Sequence, residues 1–177
     1  MDSLHHPVYT SVVTQDDDPA LLRTLSSGRR YSFSDWPNRQ VPQAAAGVYT
    51  IWNGSTLIYV GMSGRGLSAT DLTVAREQGR IKGLATRLHS HAAGRRSGDQ
   101  FCVYVCDRLV LKELTAVQIE QVGEAELSLD LLTRNYIHEH LSYRFVEVSD
   151  GQEAARIESV IRSGGLAGCK PMLNPKK

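Results

Sequence analysis

The spacing of apolar positions changes along the chain, and each change marks an element. Two short apolar runs, 48–52 and 57–60, flank Asn53-Gly54. Val48, Ile51, Trp52, Leu57, Ile58 and Val60 are good strand formers. Asn-Gly readily takes the left-handed backbone of a tight turn. The stretch from Gly47 to Gly61 therefore predicts a two-stranded antiparallel hairpin. Gly47 and Gly61 fall where its strands begin and end, positions that let another backbone or a ligand come close. Tyr49 and Tyr59 come near the same end on adjacent strands, where two phenols are either packing or chemistry.

Elsewhere the period is helical or mixed. Pro19 with Leu21, Leu22 and Leu25 predicts a helix, capped by the run Asp16-Asp17-Asp18. Residues 26–46 read as loop, with Trp36 packing over the hairpin. Leu84 and Leu88 share a helical stripe, and Arg87 and His91, also four apart, project together from the neighbouring side. Gly94 ends that helix. The run 101–105 is apolar, β-branched and aromatic, and predicts the third strand. Helices are predicted over 109–122 and 127–141, and a strand over 143–148. A last helix, 151–162, begins at Asp150 with Glu153 completing a capping box, and buries Ala154, Ile157, Val160 and Ile161. The sum is an α+β fold: a small antiparallel sheet with a three-stranded core, flanked by helices. Residues 1–46 form an N-terminal extension packed on a domain of 47–177, which carries an insertion at about 62–83.

Composition bounds this picture more than it directs it. The 177 residues suit one domain, and 41% hydrophobic residues allow a real core. A net charge of +1 does not announce a nucleic-acid binder, but its distribution is uneven. Residues 62–100 hold seven basic side chains against three carboxylates, and 107–158 hold five against eleven. That asymmetry implies one basic face on an acidic body, or two ordinary solvated surfaces. Cys102, Cys106 and Cys169 lack zinc-type spacing and read as free buried thiols in a reducing cytoplasm. No signal peptide or membrane-spanning run is evident, so a cytoplasmic protein is expected. His5-His6 is too short to argue a metal site.

The order Gly-Val-Tyr, about ten residues, Tyr-Val-Gly, then Arg87 with His91 one turn on, then Glu158, then Asn174 between prolines resembles the GIY-YIG nuclease superfamily. The likeness spans 47–175 and is nearest the stand-alone restriction-endonuclease branch, which carries a similarly long segment after the second tyrosine. It implies a Mg²⁺-dependent DNA endonuclease (Mn²⁺ as a substitute), acting on double-stranded DNA and often as a homodimer. It assigns Tyr49 as base, alone or as a pair with His91, and Tyr59 to hold phosphate or water. Arg87 would bind the scissile phosphate, Glu158 the metal, and Asn174 would tie the tail to the site. Arg65, Lys82, Arg95 and Arg96 would contact nucleic acid, with His89 and Asp99 as neighbours. One departure is Met62, where many relatives place a lysine; Arg65 or Lys82 would have to supply that charge. The alternatives are a non-cleaving nucleic-acid-binding module on a decayed nuclease fold, and a partner-binding domain whose tyrosines only pack.

Overall fold

A ten-residue strand, β2 (Ala44–Asn53), is the spine of the structure, a computed structural model that describes residues 18–166 and 168–174. β3 (Thr56–Ser63) returns antiparallel along one edge of β2, and β5 (Leu141–Val148) pairs antiparallel with the other. Two short pieces complete the sheet: β1 (Tyr31–Ser32) beside β5, and β4 (Lys82–Gly83) parallel to the start of β2. The strand order is β1-β5-β2-β3, with β4 paired to β2. The fold is α+β, and the core sheet has three long strands.

The third of these strands is 141–148, not 101–105. Residues 100–105 form helix α4 (Gln100–Val105), because the Asp99 carboxylate accepts the Phe101 N–H at 3.1 Å and caps it. Phe101, Cys102 and Val105 then bury together at helical spacing. A five-residue apolar run fits either period, and here the cap decides. The helix expected over 109–122 is also divided. α4 runs on through a π-helical turn at 106–110 and a 3-10 turn at 111–113, and Thr115 starts a new helix, α5 (Ala116–Gly123), with its own capping box.

Helices cover both faces of the sheet. On one face α3 (Leu84–Ala93), α4 and α6 (Leu129–His140) pack on Tyr49, Ile51, Ile58 and Tyr143. On the other, α1 (Asp18–Ser27), α2 (Ala69–Glu77) and α7 (Gly151–Val160) pack on Val48, Trp52, Val60 and Val146. α1 is anchored where Thr50 Oγ1 donates to the Leu25 carbonyl at 2.8 Å and Arg144 Nε donates to that of Gly28 at 2.9 Å. Asp16, Asp17 and His5-His6 lie outside the described residues. Asp150 caps α7 as expected, but the Glu153 carboxylate turns to Arg156 instead of closing a capping box. Trp36 packs over Tyr143 of β5 and beside His89, not over the hairpin. The segment 62–83 contains α2, which buries Leu72 and Ala75 and fastens Arg76 to the Ala44 carbonyl and to Glu147. Cys102 and Cys106 are free and buried, whereas Cys169 is exposed. Among the described residues no helix is long and apolar enough to cross a membrane.

Two details of the hairpin position the site. Its turn centres on Gly54-Ser55, and Asn53 closes β2 with its amide donating to Tyr136 Oη at 3.0 Å. One extra residue, Ile58, bulges from β3, since Ile51 faces Tyr59 while Trp52 faces Leu57. The bulge switches Tyr59 and Gly61 onto the face that carries Tyr49. Gly61 then lies directly opposite Tyr49, and a Cβ there would overlap the phenol. The glycine admits this chain's own tyrosine, not an outside ligand.

Candidate active site

At the end of the hairpin away from its turn, α3 from one layer and α7 from the other converge beside edge strand β3. A cleft of about 760 Å³ opens there. Tyr49, Tyr59, Arg87, His91 and Glu158, separated by up to about a hundred residues, all line it, as do Arg65 and Lys82.

The geometry is built from α3 outward. Gly94 ends the helix in a left-handed conformation (φ 69°), and the chain reverses through 95–98 to bring Asp99 back beside His91. Asp99 Oδ2 lies 2.7 Å from His91 Nδ1 and accepts the Ser90 hydroxyl at 2.6 Å. His91 Nε2 lies 2.8 Å from Tyr49 Oη. All three side chains are buried, with 1% of Tyr49, 1% of His91 and 3% of Asp99 exposed. Phe101 packs on the imidazole at 4.5 Å.

Proton positions follow from the environment. Burial alone would raise the Asp99 carboxyl, but hydrogen bonds from His91, Ser90 and the Phe101 N–H outweigh it and hold the group at about 2. Asp99 is therefore ionised and accepts only, so His91 Nδ1 carries a proton. Burial lowers the His91 pKa despite the opposing pull of Asp99, so the ring is neutral near pH 7 and its Nε2 accepts the Tyr49 O–H. Burial also raises Tyr49 well above an ordinary phenol, with Tyr59 adding to the effect and Arg87 opposing it. No standing phenolate is present. Tyr49 can take a proton from a neighbour only while giving its own to His91. Burial likewise pushes Tyr59 up to about 12, so it stays a phenol; its hydroxyl has no hydrogen-bond partner among the described residues.

The remaining walls are charged or polar. Arg87 is exposed and makes no hydrogen bond or ion pair among the described residues. Ser63 Oγ is buried in the cleft wall without a partner. Met62 lines the cleft while packing against the second layer, with Arg65 and Lys82 on the same wall. Glu158 lies one residue beyond buried Ile157, and its carboxylate stands 3.7 Å from Arg162. Among the described residues Glu158 is the one lining carboxylate besides Asp99, whose oxygens are already engaged. A carboxylate and an unpartnered hydroxyl on the wall of one cleft offer hard oxygen ligands of the kind Mg²⁺ takes. His91, Asp99 and Cys102 also bring potential ligand atoms within 4.8 Å of one another. Burial, then Asp99, pushes the Cys102 thiol above its usual range, and His91 Nδ1 is spent on Asp99, so these residues form a hydrogen-bonded core.

Three expected residues lie elsewhere. Arg96 is held by Asp130 at 2.9 Å and fastens the 95–98 turn to α6, so it is not a free phosphate contact. Arg95 lines a neighbouring cavity. Asn174 lies outside the cleft lining, its amide bonded to both the N–H and C=O of Val60 (2.8 and 2.9 Å), next to Tyr59. The sequence had marked Asp99 only as a neighbour and had not marked Ser63 or Ser90. The available signal was Gly94 and Gly98 bracketing a reversal just after His91. Comparison of the chain with protein-family models, curated proteins and solved structures finds no match.

Proposed function

We propose that this chain is a metal-dependent DNA endonuclease that works in the manner of the GIY-YIG superfamily. The observation that carries this reading is the buried Tyr49–His91–Asp99 chain opening on a cleft lined by an unpaired guanidinium, Arg87, and a carboxylate, Glu158. Arg87 binds the scissile phosphate through its fork of donors. Tyr49 Oη accepts a proton from the attacking water as its own proton passes to His91 Nε2, so the phenol acts without ever ionising. Asp99 holds the imidazole in the receiving tautomer and stabilises the imidazolium that forms. Tyr59 donates its hydroxyl to the phosphate or aligns the water. Glu158 is the ligand for Mg²⁺ or Mn²⁺, which when bound stabilises charge on the phosphate and on the leaving 3′ oxygen. Cutting both strands of a duplex in one encounter takes two such centres, which a homodimer would supply; one centre would cut them in succession.

A second reading, binding without cleavage, is favoured by Met62, an apolar side chain where many relatives of the superfamily have a lysine. Nicking of supercoiled plasmid and of single-stranded DNA, in Mg²⁺, Mn²⁺ or EDTA, separates the two. Cleavage that EDTA and Glu158→Gln both abolish supports the nuclease. Unchanged cleavage by Glu158→Gln refutes the metal assignment. Salt-sensitive DNA binding with no cleavage of any substrate supports the second reading.

A further inference from the structure

α3 is a ridge between two cavities. Arg87 and His91 face the catalytic cleft, while His89 and Ala93, round the helix, face a second cavity of about 650 Å³. Thr86 and Ser90, between these pairs, line both. The second cavity falls in the size range of sites that bind small organic molecules, and its wall differs from the first. It contains an indole, Trp36, two guanidiniums, Arg95 and Arg134, and, among the described residues, no carboxylate.

The components are held in place. Trp36 Nε1–H donates to His89 Nδ1 at 3.3 Å, which fixes the ring by its edge, and the half-buried indole lines the cavity. His138 is engaged with the Ala92 carbonyl at 2.8 Å. Arg95 and Arg134 are exposed and make no hydrogen bond or ion pair among the described residues. They are neighbours because α6 packs tightly on the end of α3: a Cβ on Gly94 would meet the Arg134 Cα at 2.5 Å. An aromatic face beside two unpaired guanidiniums is the chemistry that takes a base and its phosphates.

We infer that the second cavity binds an unpaired nucleotide of the same strand whose phosphate lies in the catalytic cleft. The base stacks on Trp36 and the flanking phosphates meet Arg95 and Arg134. Crossing one helix takes roughly 10 Å, or about two to three nucleotides. The preferred substrate is therefore DNA with a flipped, bulged or single-stranded nucleotide two or three positions from the cut. This inference rests on the nucleic-acid reading of the cleft but not on cleavage.

Binding in EDTA tests it directly. Fluorescence anisotropy would compare a duplex, the same duplex with one unpaired adenine, and that duplex with an abasic unit in place of the adenine. The chain should bind the unpaired adenine about tenfold more tightly than either control. Trp36→Ala should erase the preference and Trp36→Phe retain it. Arg95→Ala with Arg134→Ala should weaken all three complexes and lower the salt slope by about two. Equal affinity of the wild type for all three overturns the inference, as does a folded Trp36→Ala that keeps the preference. Should Trp36→Ala not fold, an unchanged salt slope in the arginine pair overturns it instead. A chain with the preference that never cleaves refutes the nuclease and spares this inference. A chain that cleaves without the preference does the reverse, and no affinity for any of the three refutes both.

Discussion

Asp99→Asn removes one charge from the centre of the site and leaves its shape. A carboxyl held at about 2 rather than near 3.8 favours the fold by about 2 kcal/mol at neutral pH. Losing that should lower the urea midpoint by about 1 M, or the melting temperature by about 4–8 °C. The sharper consequence concerns a proton. If the new amide oxygen keeps the Phe101 N–H, its NH₂ faces His91 Nδ1. The imidazole must then carry its hydrogen on Nε2, where it donates to Tyr49 instead of accepting from it. Nitrogen-15 NMR of the histidine ring distinguishes these tautomers without any assay of function. Plasmid nicking should fall by about 10²–10⁴-fold, the usual worth of a positioned acid–base group. Retention of the Nδ1–H tautomer with undiminished nicking would refute the proton path.

Other consequences are more quickly tested. Gly61→Ala forces a methyl group against Tyr49 Oη and should cost about 1–3 kcal/mol in thermal unfolding, with loss of nicking from a displaced phenol. Stability should be level above about pH 7 and fall as pH drops through 6.5, because the unfolded chain takes a proton that buried His91 refuses. It should fall again between about 3.8 and 2, as the unfolded Asp99 carboxyl takes a proton that the folded one, held at about 2, does not. Urea midpoints from pH 8 to pH 2 check both steps, and His91→Gln should flatten the first. Ser63→Ala removes a buried hydroxyl without a partner, so it should leave thermal stability unchanged or raise it by up to about 1 kcal/mol while raising KM for nicking. A drop in melting temperature would give that hydroxyl a structural role instead.

Local signals and long-range geometry were not equally readable from the sequence. Asn53-Gly54 between two short apolar runs announces the hairpin, and Leu84 and Leu88 announce α3, because both patterns are settled within a few residues. Phe101 to Val105 could not be settled that way: the residues suit a strand, and the Asp99 cap that makes them helical acts from outside the run. The bulge at Ile58 left no trace in composition, yet it decides which face receives Tyr59. For the site, the ordered tyrosines, Arg87, His91 and Glu158 were readable as a set, and the cleft gathers all five. The role of Asp99 was not, since it depends on a reversal after Gly94 that spacing alone does not describe. Arg96 shows the opposite failure: its charge suggested an open contact, but Asp130 occupies it.

β3 is the last strand of its sheet, and such a strand offers a ladder to any other extended chain. Here residues 172–174 occupy that ladder. The N–H groups of Met172 and Leu173 donate to Leu57 and Ile58, and the Asn174 side chain presents to Val60 the same donor and acceptor that another strand would present. A side-chain amide thus blunts the edge without extending the sheet. The asparagine near the site would guard the edge as well as hold the tail: without it the Val60 N–H and C=O would be open to another extended chain, even with Met172 and Leu173 still in place.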